Sequence, residues 1–361
     1  MKKTVLYDRH VKLGGRIVDF AGWQLPVMYS SIIEEHIATR ENAGLFDISH
    51  MGEILIKGES AGEFLKKLIP TRLDKLTAGK SMYSCLCNEK GGIIDDLFIF
   101  MISDKEYYIV VNAANIEKDF NWFLNHKING VEIINLSDDT SKIDLQGPKS
   151  KDILLKVFSD NSLKELKRFY FAYVEYKNKK VMISNTGYTG EKGYEIYMPN
   201  DLACLVWDEL LEAGREFGIK PAGLGARDTL RVEACYSLYG HELKDDVTPV
   251  ESGIGWLVSS DSDYIAKSIL KKQKDDGAPR EIVALELTGR GIPREGCRII
   301  KDGNDIGHVT SGVYSPLFKK GIALAIVKSG FVNIDDNIEV LIRDKKVDAK
   351  IVKRPFYVYN A

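Results

Sequence analysis

Two adjacent carboxylates, Asp95 and Asp96, stand at the start of the most apolar stretch of the chain, residues 97–102. Successive side chains of a strand point to opposite faces, so the two carboxylates cannot normally serve one site. If one of them projects into a cleft, the low dielectric there strengthens its field on a developing cation. The simpler interpretation is that both are turn residues after Gly91 and Gly92, and these residues alone leave both interpretations open.

A second candidate is the pair Arg227 and Asp228, which falls in the first turn of a predicted helix. The helix dipole favours an acidic residue at this end and disfavours a basic one, so Asp228 is easily explained and Arg227 is not. The mismatch points to an external anionic partner for Arg227. A salt bridge with Glu195 or Glu233 explains it equally well.

Aromatic residues offer a third feature. Tyr83, Tyr188 and Tyr194 could form a stacking surface for a flat heterocycle. Tyrosines on strands more often belong to the core, so this pattern alone does not indicate a ligand.

Two glycine-rich segments could bind phosphate, but their contexts argue against it. Residues 187–193, GYTGEKG, are followed by a predicted strand, and without a helix N-terminus the loop lacks the amides that bind phosphate. Gly223 and Gly225 do precede a helix, but the third glycine of the dinucleotide motif and its preceding strand are missing. We therefore expect neither NAD nor ATP.

The metal-binding residue types show no pattern of a site. The six histidines are scattered, without an HExxH motif. Cys85 and Cys87 share a strand face, but no CxxC motif or nearby histidine completes a zinc site. The five cysteines have no disulfide-framework spacing, which is typical of free thiols in a reducing compartment. The sequence predicts no metal.

Composition narrows the class of protein. The 361 residues are 44% hydrophobic and 28% charged, which is typical of a globular protein with two or three domains. A net charge of -2 argues against nucleic acid as a partner. Residues 97–102 are far shorter than the roughly 20 apolar residues of a membrane helix. Because Asp8, Arg9 and Lys12 interrupt any signal-peptide apolar region, we expect a cytoplasmic protein.

The elements that must position these residues follow from periodicity and turn signals. Ser31 is a candidate N-cap, and the turn signal Asp275-Asp276-Gly277 predicts a domain boundary. Residues 280–361 read as short strands with turns at 301–304 and 343–346, which predicts a small antiparallel barrel. Predicted helices are 31–41, 150–158, 161–169, 202–217, 225–234 and 267–274, and predicted strands include 82–87, 93–103, 107–112, 173–184 and 194–198.

Several segments, in this order along the chain, resemble the T-protein family of the glycine cleavage system. They are DFAGWQLP at 19–26, GLFDISHMG at 44–52, NEKGGIIDD at 88–96, VNAAN at 111–115, LQGP at 145–148, TGYTGE at 186–191 and PAGLGARD at 221–228. Many ordered segments at the right separations make chance similarity very improbable. The resemblance covers essentially the whole chain.

The resemblance implies an α+β fold. Two interleaved α+β subdomains in residues 1–278 would form a folate-binding aminomethyltransferase module, and residues 279–361 would form a C-terminal antiparallel β-barrel, around a central channel. It also implies an enzyme that moves a methylene unit from an aminomethyl group to tetrahydrofolate and releases ammonia. The aminomethyl group is carried on the reduced lipoyl arm of the H-protein. Functional association with glycine dehydrogenase (P-protein) and dihydrolipoyl dehydrogenase would follow.

The resemblance also implies roles for individual residues. Asp96 would be the catalytic carboxylate, as a stabiliser of an iminium-like cation or as a base. Glu195 would accept the adjacent N–H groups of the pterin, and Arg227 would contact the ligand. The other residues expected in the folate site are Tyr83, Asn112, Tyr188 and Met51, with His50 and Met51 bordering the channel.

Two related functions remain as alternatives. Folate-binding iron-sulfur assembly proteins share the expected fold and carry a Lys-Gly-Cys-Tyr-x-Gly-Gln-Glu motif. Here the corresponding residues 233–242 read EACYSLYGHE, so the lysine-glycine pair is absent and the spacing is longer. The other alternative is a standalone folate-dependent demethylase of a small methylated substrate.

Overall fold

The structure, a computed structural model, describes residues 1–359. The chain divides into two compact units. Unit 1 comprises Met1–Phe64, Asp74–Tyr83 and Leu97–Arg227, and unit 2 comprises Leu65–Leu73, Ser84–Asp96 and the chain from Asp228 onward. In each unit, segments that are distant in sequence fold together.

Helices and strands alternate irregularly along the chain. The helices are α1 (Tyr7–Lys12), α2 (Ile32–Glu41), α3 (Ala61–Leu68), α4 (Ile116–Asn125), α5 (Ser150–Val157), α6 (Asn200–Gly214), α7 (Leu224–Glu233) and α8 (Lys267–Asp276). The strands before residue 130 are β1 (Lys2–Lys3), β2 (Arg16–Phe20), β3 (Trp23–Met28), β4 (Gly44–Asp47), β5 (Gly52–Lys57), β6 (Ser81–Cys87), β7 (Ile93–Ser103) and β8 (Glu106–Val111). The later strands are β9 (Glu132–Asn135), β10 (Thr140–Gln146), β11 (Phe171–Tyr176), β12 (Lys179–Ser184), β13 (Gly193–Pro199), β14 (Lys220–Pro221), β15 (Arg280–Leu287), β16 (Arg298–Lys301), β17 (Asn304–Ser315), β18 (Lys320–Lys328), β19 (Asn337–Ile342) and β20 (Lys345–Val352).

A six-stranded sheet is the main frame of unit 1, in the order β11-β12-β13-β10-β4-β14. One face is apolar because alternate residues, such as Ile143, Leu145 and Ile196, point to the same side. Helices α5 and α6 cover this face, and Trp207 of α6 is fully buried in the cluster. The opposite face is therefore free to carry other side chains.

A second sheet, in the order β6-β7-β8-β5-β9, contributes its own apolar residues to an aromatic cluster. In this cluster the Phe100 ring lies 5.5 Å from that of Phe171 and 5.7 Å from that of Tyr197. Phe100 comes from β7, whereas Phe171 and Tyr197 come from the six-stranded sheet. The two sheets therefore pack on each other through aromatic rings.

Helix α2 begins as its sequence predicts. The Ser31 side chain accepts a hydrogen bond from the Glu34 backbone N–H, at 3.2 Å. This satisfies one of the amide donors that have no partner within the first turn of a helix. The predicted N-cap is confirmed.

Two predicted elements are wrong in part. Residues 161–169 form only a short 3-10 helix, Asn161–Glu165, after which the Asn185 side chain donates to the Leu166 carbonyl. Phe169 then has a φ of 64°, which no α-helix tolerates. The predicted strand 173–184 is a hairpin of β11 and β12, reversed at Lys177 and Asn178, which both have positive φ.

The C-terminal part of unit 2 is a closed antiparallel barrel, in the order β15-β18-β17-β16-β19-β20. Strand β15 shows the alternation that fills it: Val283, Leu285 and Leu287 join the interior cluster, whereas Ile282 and Ala284 join a cluster outside. The α+β class and the C-terminal barrel are thus confirmed, while the central channel stays a prediction. Among the helices within residues 1–359, none is long and apolar enough to span a membrane.

Candidate active site

The six-stranded sheet carries charged side chains on its second face, which we call the polar face and define by Lys142, Asp144 and Glu195. Ile143 and Leu145 of β10 point into the helix-covered core, so Lys142 and Asp144 point the other way. Glu195 of β13 lies directly opposite Asp144 in the strand register. Two carboxylates and one ammonium group are thereby brought together in a buried region.

Glu195 is held by three donors. Lys142 Nζ lies 3.1 Å from Glu195 Oε1, while Thr186 donates to Oε2 and the Tyr197 hydroxyl donates to the same oxygen at 3.2 Å. Burial by itself raises the pKa of Glu195, but Lys142 and the Thr186 hydroxyl outweigh it, and the pKa lies below its usual value. Glu195 is therefore a buried carboxylate that remains charged.

Arg227 pairs with Asp144 rather than with Glu195 or Glu233, the partners considered from the sequence. Its Nη1 lies 2.9 Å from Asp144 Oδ2. Burial raises the pKa of Asp144 to about 7, because it outweighs the attraction of Arg227. The awkward position of Arg227 at a helix N-terminus is thus explained by an internal partner.

Tyr188 also lies at this site, because the Arg227 guanidinium sits over its ring, 4.7 Å from the centroid. The loop that carries Tyr188 packs on the Gln146 side chain, which accepts a hydrogen bond from Thr189 at 2.7 Å. A Cβ at Gly187 or Gly193 would come within 2.2 Å of Gln146 atoms. The glycines of this loop therefore permit close packing on Gln146.

Met51 and His50 lie near the charged side chains of the polar face. Met51 Sδ lies 3.6 Å from Lys142 Nζ. Burial lowers the pKa of His50 to about 3, helped by the positive charges of Arg227 and Lys142 against the attraction of Asp47. His50 is therefore neutral at physiological pH.

The two remaining folate-site candidates of unit 1 lie in or beside the other sheet. The Tyr83 ring packs 5.5 Å from that of Phe98. Asn112 follows β8 and precedes a short 3-10 helix, where its carbonyl accepts from the Asn115 N–H at 2.9 Å. Their roles toward a ligand stay predictions.

Asp96 belongs to unit 2. Asp95 is fully buried and Asp96 half-buried, and both lie within β7. The interpretation of the pair as turn residues is therefore wrong. Their negative charges contribute to raising the pKa of Cys85, after its contact with Cys87 and its burial. The catalytic role of Asp96 stays a prediction.

Sequence reasoning missed Lys142 and Asp144, and it included Thr186 only as part of the TGYTGE segment, without a role. A signal was present in residues 140–146, TSKIDLQ, where polar and apolar residues alternate as in a strand. That pattern normally indicates a solvent-exposed polar face, but here residues from elsewhere in the chain, such as Met51 and Glu53, lie against Lys142. Within residues 1–359, no group of three or more histidine, cysteine or acidic side chains is arranged to hold a metal ion.

Comparison with known proteins identifies the family. A family model described as the GCVT N-terminal domain matches residues 6–262, and one described as the glycine cleavage T-protein C-terminal barrel domain matches residues 280–357. An aminomethyltransferase of Caldanaerobacter subterraneus subsp. tengcongensis is 49% identical, over 100% of this chain and 97% of its own length. One of Geobacillus sp. (strain WCH70) is 46% identical, over 99% of each chain.

A solved structure agrees with the sequence relatives. It is the crystal structure of glycine cleavage system aminomethyltransferase T from Bartonella henselae, which superposes with a TM-score of 0.91 at 32% identity. The match covers 99% of this chain and 98% of that one. The resemblance seen in the sequence is confirmed, and the chain belongs to the glycine cleavage T-protein family.

Proposed function

We propose that the chain is an aminomethyltransferase that moves a methylene unit from the dihydrolipoyl arm of H-protein to tetrahydrofolate. In this reaction the carbon loses its bonds to the lipoyl sulfur and to the amine nitrogen. It gains bonds to two folate nitrogens, whose protons pass to the sulfur and to ammonia. Atoms balance without an oxidant or a metal.

The observation that supports this function most strongly is the match to aminomethyltransferases over the full length of the chain. Full coverage matters because the family has an N-terminal folate module and a barrel, and this chain has counterparts of both. We further propose that the protein acts in the cytoplasm with lipoylated H-protein, beside P-protein and dihydrolipoyl dehydrogenase. The proposed division into residues 1–278 and 279–361 follows the same family pattern.

Glu195 is the proposed anchor for the pterin. A carboxylate offers about four lone pairs, and among residues 1–359 Oε1 accepts only from Lys142 whereas Oε2 accepts from Thr186 and Tyr197. One pterin N–H can therefore bind Oε1 directly, and a second at Oε2 would replace the longer Tyr197 bond. A charged acceptor strengthens such bonds.

The other proposed roles follow from position and residue type. Tyr188, fixed under Arg227, offers a ring face for the pterin, and Met51 offers an apolar contact beside Lys142. Tyr83 and Asn112 are proposed to line the folate site. Asp96 is proposed to stabilise the iminium-like cation that forms as sulfur or ammonia departs, or to deprotonate the attacking nitrogen.

The test is to mix the protein with tetrahydrofolate and aminomethylated H-protein and to measure ammonia and methylenetetrahydrofolate.

We expect Asp96→Asn to bind folate within about tenfold of the wild type but to lose about 10² to 10⁴ in transfer rate. Asp95→Asn is the matched control, because its side chain points to the opposite face of β7, and it should keep transfer activity. Near-normal turnover by Asp96→Asn would refute the assignment. Activity with a methylated small molecule alone would indicate the demethylase instead.

A further inference from the structure

Lys142 has an unusual environment for a lysine. Its side chain is only 2% exposed, although burying an ammonium group is costly unless a partner compensates. The contacts around its Nζ are Glu195 Oε1 at 3.1 Å, Met51 Sδ at 3.6 Å and the Tyr197 ring centroid at 4.9 Å. Glu195 is thus the carboxylate that Lys142 contacts directly.

A second carboxyl group, that of Glu53, also lies near Lys142 and must be compared with Glu195 as its ion-pair partner. Glu53 of β5 is fully buried, and neither of its carboxyl oxygens has a hydrogen-bond partner among the described residues. Burial raises the pKa of Glu53 well above its usual value, with a smaller opposing effect of Lys142. Burial therefore disfavours the charged form of Glu53, whereas Glu195 is in direct contact with the Lys142 ammonium group.

We propose that Lys142 is the positioning residue of the folate site: it holds Glu195 in place and keeps it ionised so that Glu195 can accept the pterin N–H groups. This inference rests on the proposed role of Glu195. It adds a residue that the sequence motifs do not include, since Lys142 stands three residues before the LQGP segment.

Without Lys142, Glu195 would face a different set of charges. Asp144 lies directly across the strand pair from it, and like charges so close favour the protonated form. The remaining cation, Arg227, is engaged by Asp144. Among the described residues, the titratable groups that interact with Lys142 or Glu195 are Glu53 from β5, Asp144 from β10, Tyr197 from β13, His50 before β5 and Arg227 from α7, and Tyr108 from β8 acts in turn on Glu53 and Tyr197.

The expected consequence is that tetrahydrofolate binding depends more steeply on pH in the variant than in the wild type. In Lys142→Met, Glu195 should take up a proton near neutral pH, and a protonated acid accepts the pterin poorly. Tetrahydrofolate binding is measured anaerobically by calorimetry. At pH 6.5 the variant should bind about tenfold or more weakly than the wild type, because one pKa unit corresponds to a factor of ten in the fraction ionised. Its affinity should recover as the pH rises to 8.5. Asp144 titrates in the same range, and its pKa depends on both Lys142 and Glu195, so the pH dependence that remains when Glu195→Gln is combined with Lys142→Met measures the contribution of Asp144.

Four further variants separate positioning from a general structural role. Lys142→Arg keeps the charge and should restore most of the affinity. Glu195→Gln should bind weakly at every pH, and adding Lys142→Met to it should cost less than twofold more, because the two residues act as a unit. Lys180→Met, the same change at an exposed lysine of β12, controls for the substitution itself. Thermal melts check folding, and Lys142→Gln replaces Lys142→Met if the latter does not fold.

The outcomes distinguish this inference from the proposed function. A pH-independent loss in Lys142→Met, or losses that add fully in the double variant, would overturn the role of Lys142 while leaving the transferase intact. Wild-type protein that binds no tetrahydrofolate would instead overturn the proposed function. Wild-type affinity in Glu195→Gln would remove the anchor and, with it, the role of Lys142.

Discussion

Two carboxylates that face each other across β10 and β13 differ in how easily they ionise, although both are buried. The pKa of Asp144 is raised to about 7 by burial despite its Arg227 partner, whereas the pKa of Glu195 lies below its usual value. The difference arises from partners: Glu195 has Lys142 and two hydroxyl donors, and Asp144 has Arg227 and the Gln146 amide. Environment rather than residue type therefore decides which acid stays charged.

The effect of burial on the pKa of Glu53 can be tested through the pH dependence of the free energy of unfolding. Its pKa is raised in the folded protein by burial, so the folded state binds its proton more tightly than the unfolded state does. The stability it contributes is present below the usual glutamate pKa and is lost as pH rises toward the folded pKa. Glu53→Gln keeps the neutral form at every pH. We expect the variant to match the wild type near pH 5 and to exceed it at pH 7.5, because the wild type loses about 1.4 kcal/mol for each pH unit over which the unfolded state has released this proton and the folded state has not.

Urea unfolding at the two pH values measures this difference. Glu165→Gln, at an exposed position, is the control and should show no such gain. A Glu53→Gln variant that is less stable than the wild type at pH 7.5 would mean that Glu53 is ionised and paired in the folded protein.

At the residue scale, the sequence motifs predicted which residues the site contains but not which ion pairs and hydrogen bonds those residues form. Glu195, Arg227 and Tyr188 were predicted to lie together, and the structure places Arg227 over Tyr188 and pairs it with Asp144, the neighbour of Glu195 across the strands. Lys142 could not be predicted, because its burial depends on a second sheet contributed by residues far away in the chain. Whether Asp96 acts on the same ligand stays a prediction.

At the scale of the element, short-range signals succeed where local hydrogen bonds decide the structure. Helix α2 is an example, since Ser31 caps it through a bond to Glu34 only three residues away. Segment 161–169 is the opposite case. Its helical pattern is overridden by distant partners: Asn185 bonds the Leu166 carbonyl, and the Phe169 carbonyl accepts from the Ser81 N–H at 2.7 Å.

The N-cap of α2 can be tested directly. Ser31→Ala removes the acceptor for the Glu34 N–H and should lower the free energy of unfolding by about 1 kcal/mol. Hydrogen exchange at the Glu34 amide should accelerate as well. Ser30→Ala, at the exposed neighbouring position, should change neither quantity. Equal effects of the two substitutions would show that the Ser31 hydroxyl does not cap the helix.

At the scale of the whole molecule, turn signals were sufficient to predict the barrel, whose strands follow one another in sequence. They were not sufficient for the rest of unit 2, which is assembled from distant segments. The Asn88 side chain donates to the Asp245 carbonyl at 2.9 Å, and a Cβ at Gly92 would lie 1.7 Å from the same oxygen. Gly92 is therefore required by a close approach of two chain segments, which a local reading takes for a turn.

The proposed domain boundary between residues 278 and 279 can be tested by limited proteolysis. Helix α8 ends at Asp276, its C-cap Gly277 has a φ of 94° that stops the helix, and β15 begins at Arg280. Residues 274–277 are exposed, and exposed segments outside strand pairing are where proteases cut first. Limited digestion with a protease of broad specificity should therefore cleave first at about residues 274–280, as read by mass spectrometry.

The hairpin turn at Arg343 and Asp344 is the internal control for that experiment. It is also exposed, and both residues have positive φ, but β19 and β20 pair right up to it, with Ile342 opposite Lys345. A protease must unfold several residues on either side of a bond to cut it, so pairing that reaches the turn protects it better than the end of a single helix protects Gly277. If the hairpin is cut first, the segment at residue 278 is not the part of the chain most accessible to the protease. The proposed boundary between the two domains must then be moved.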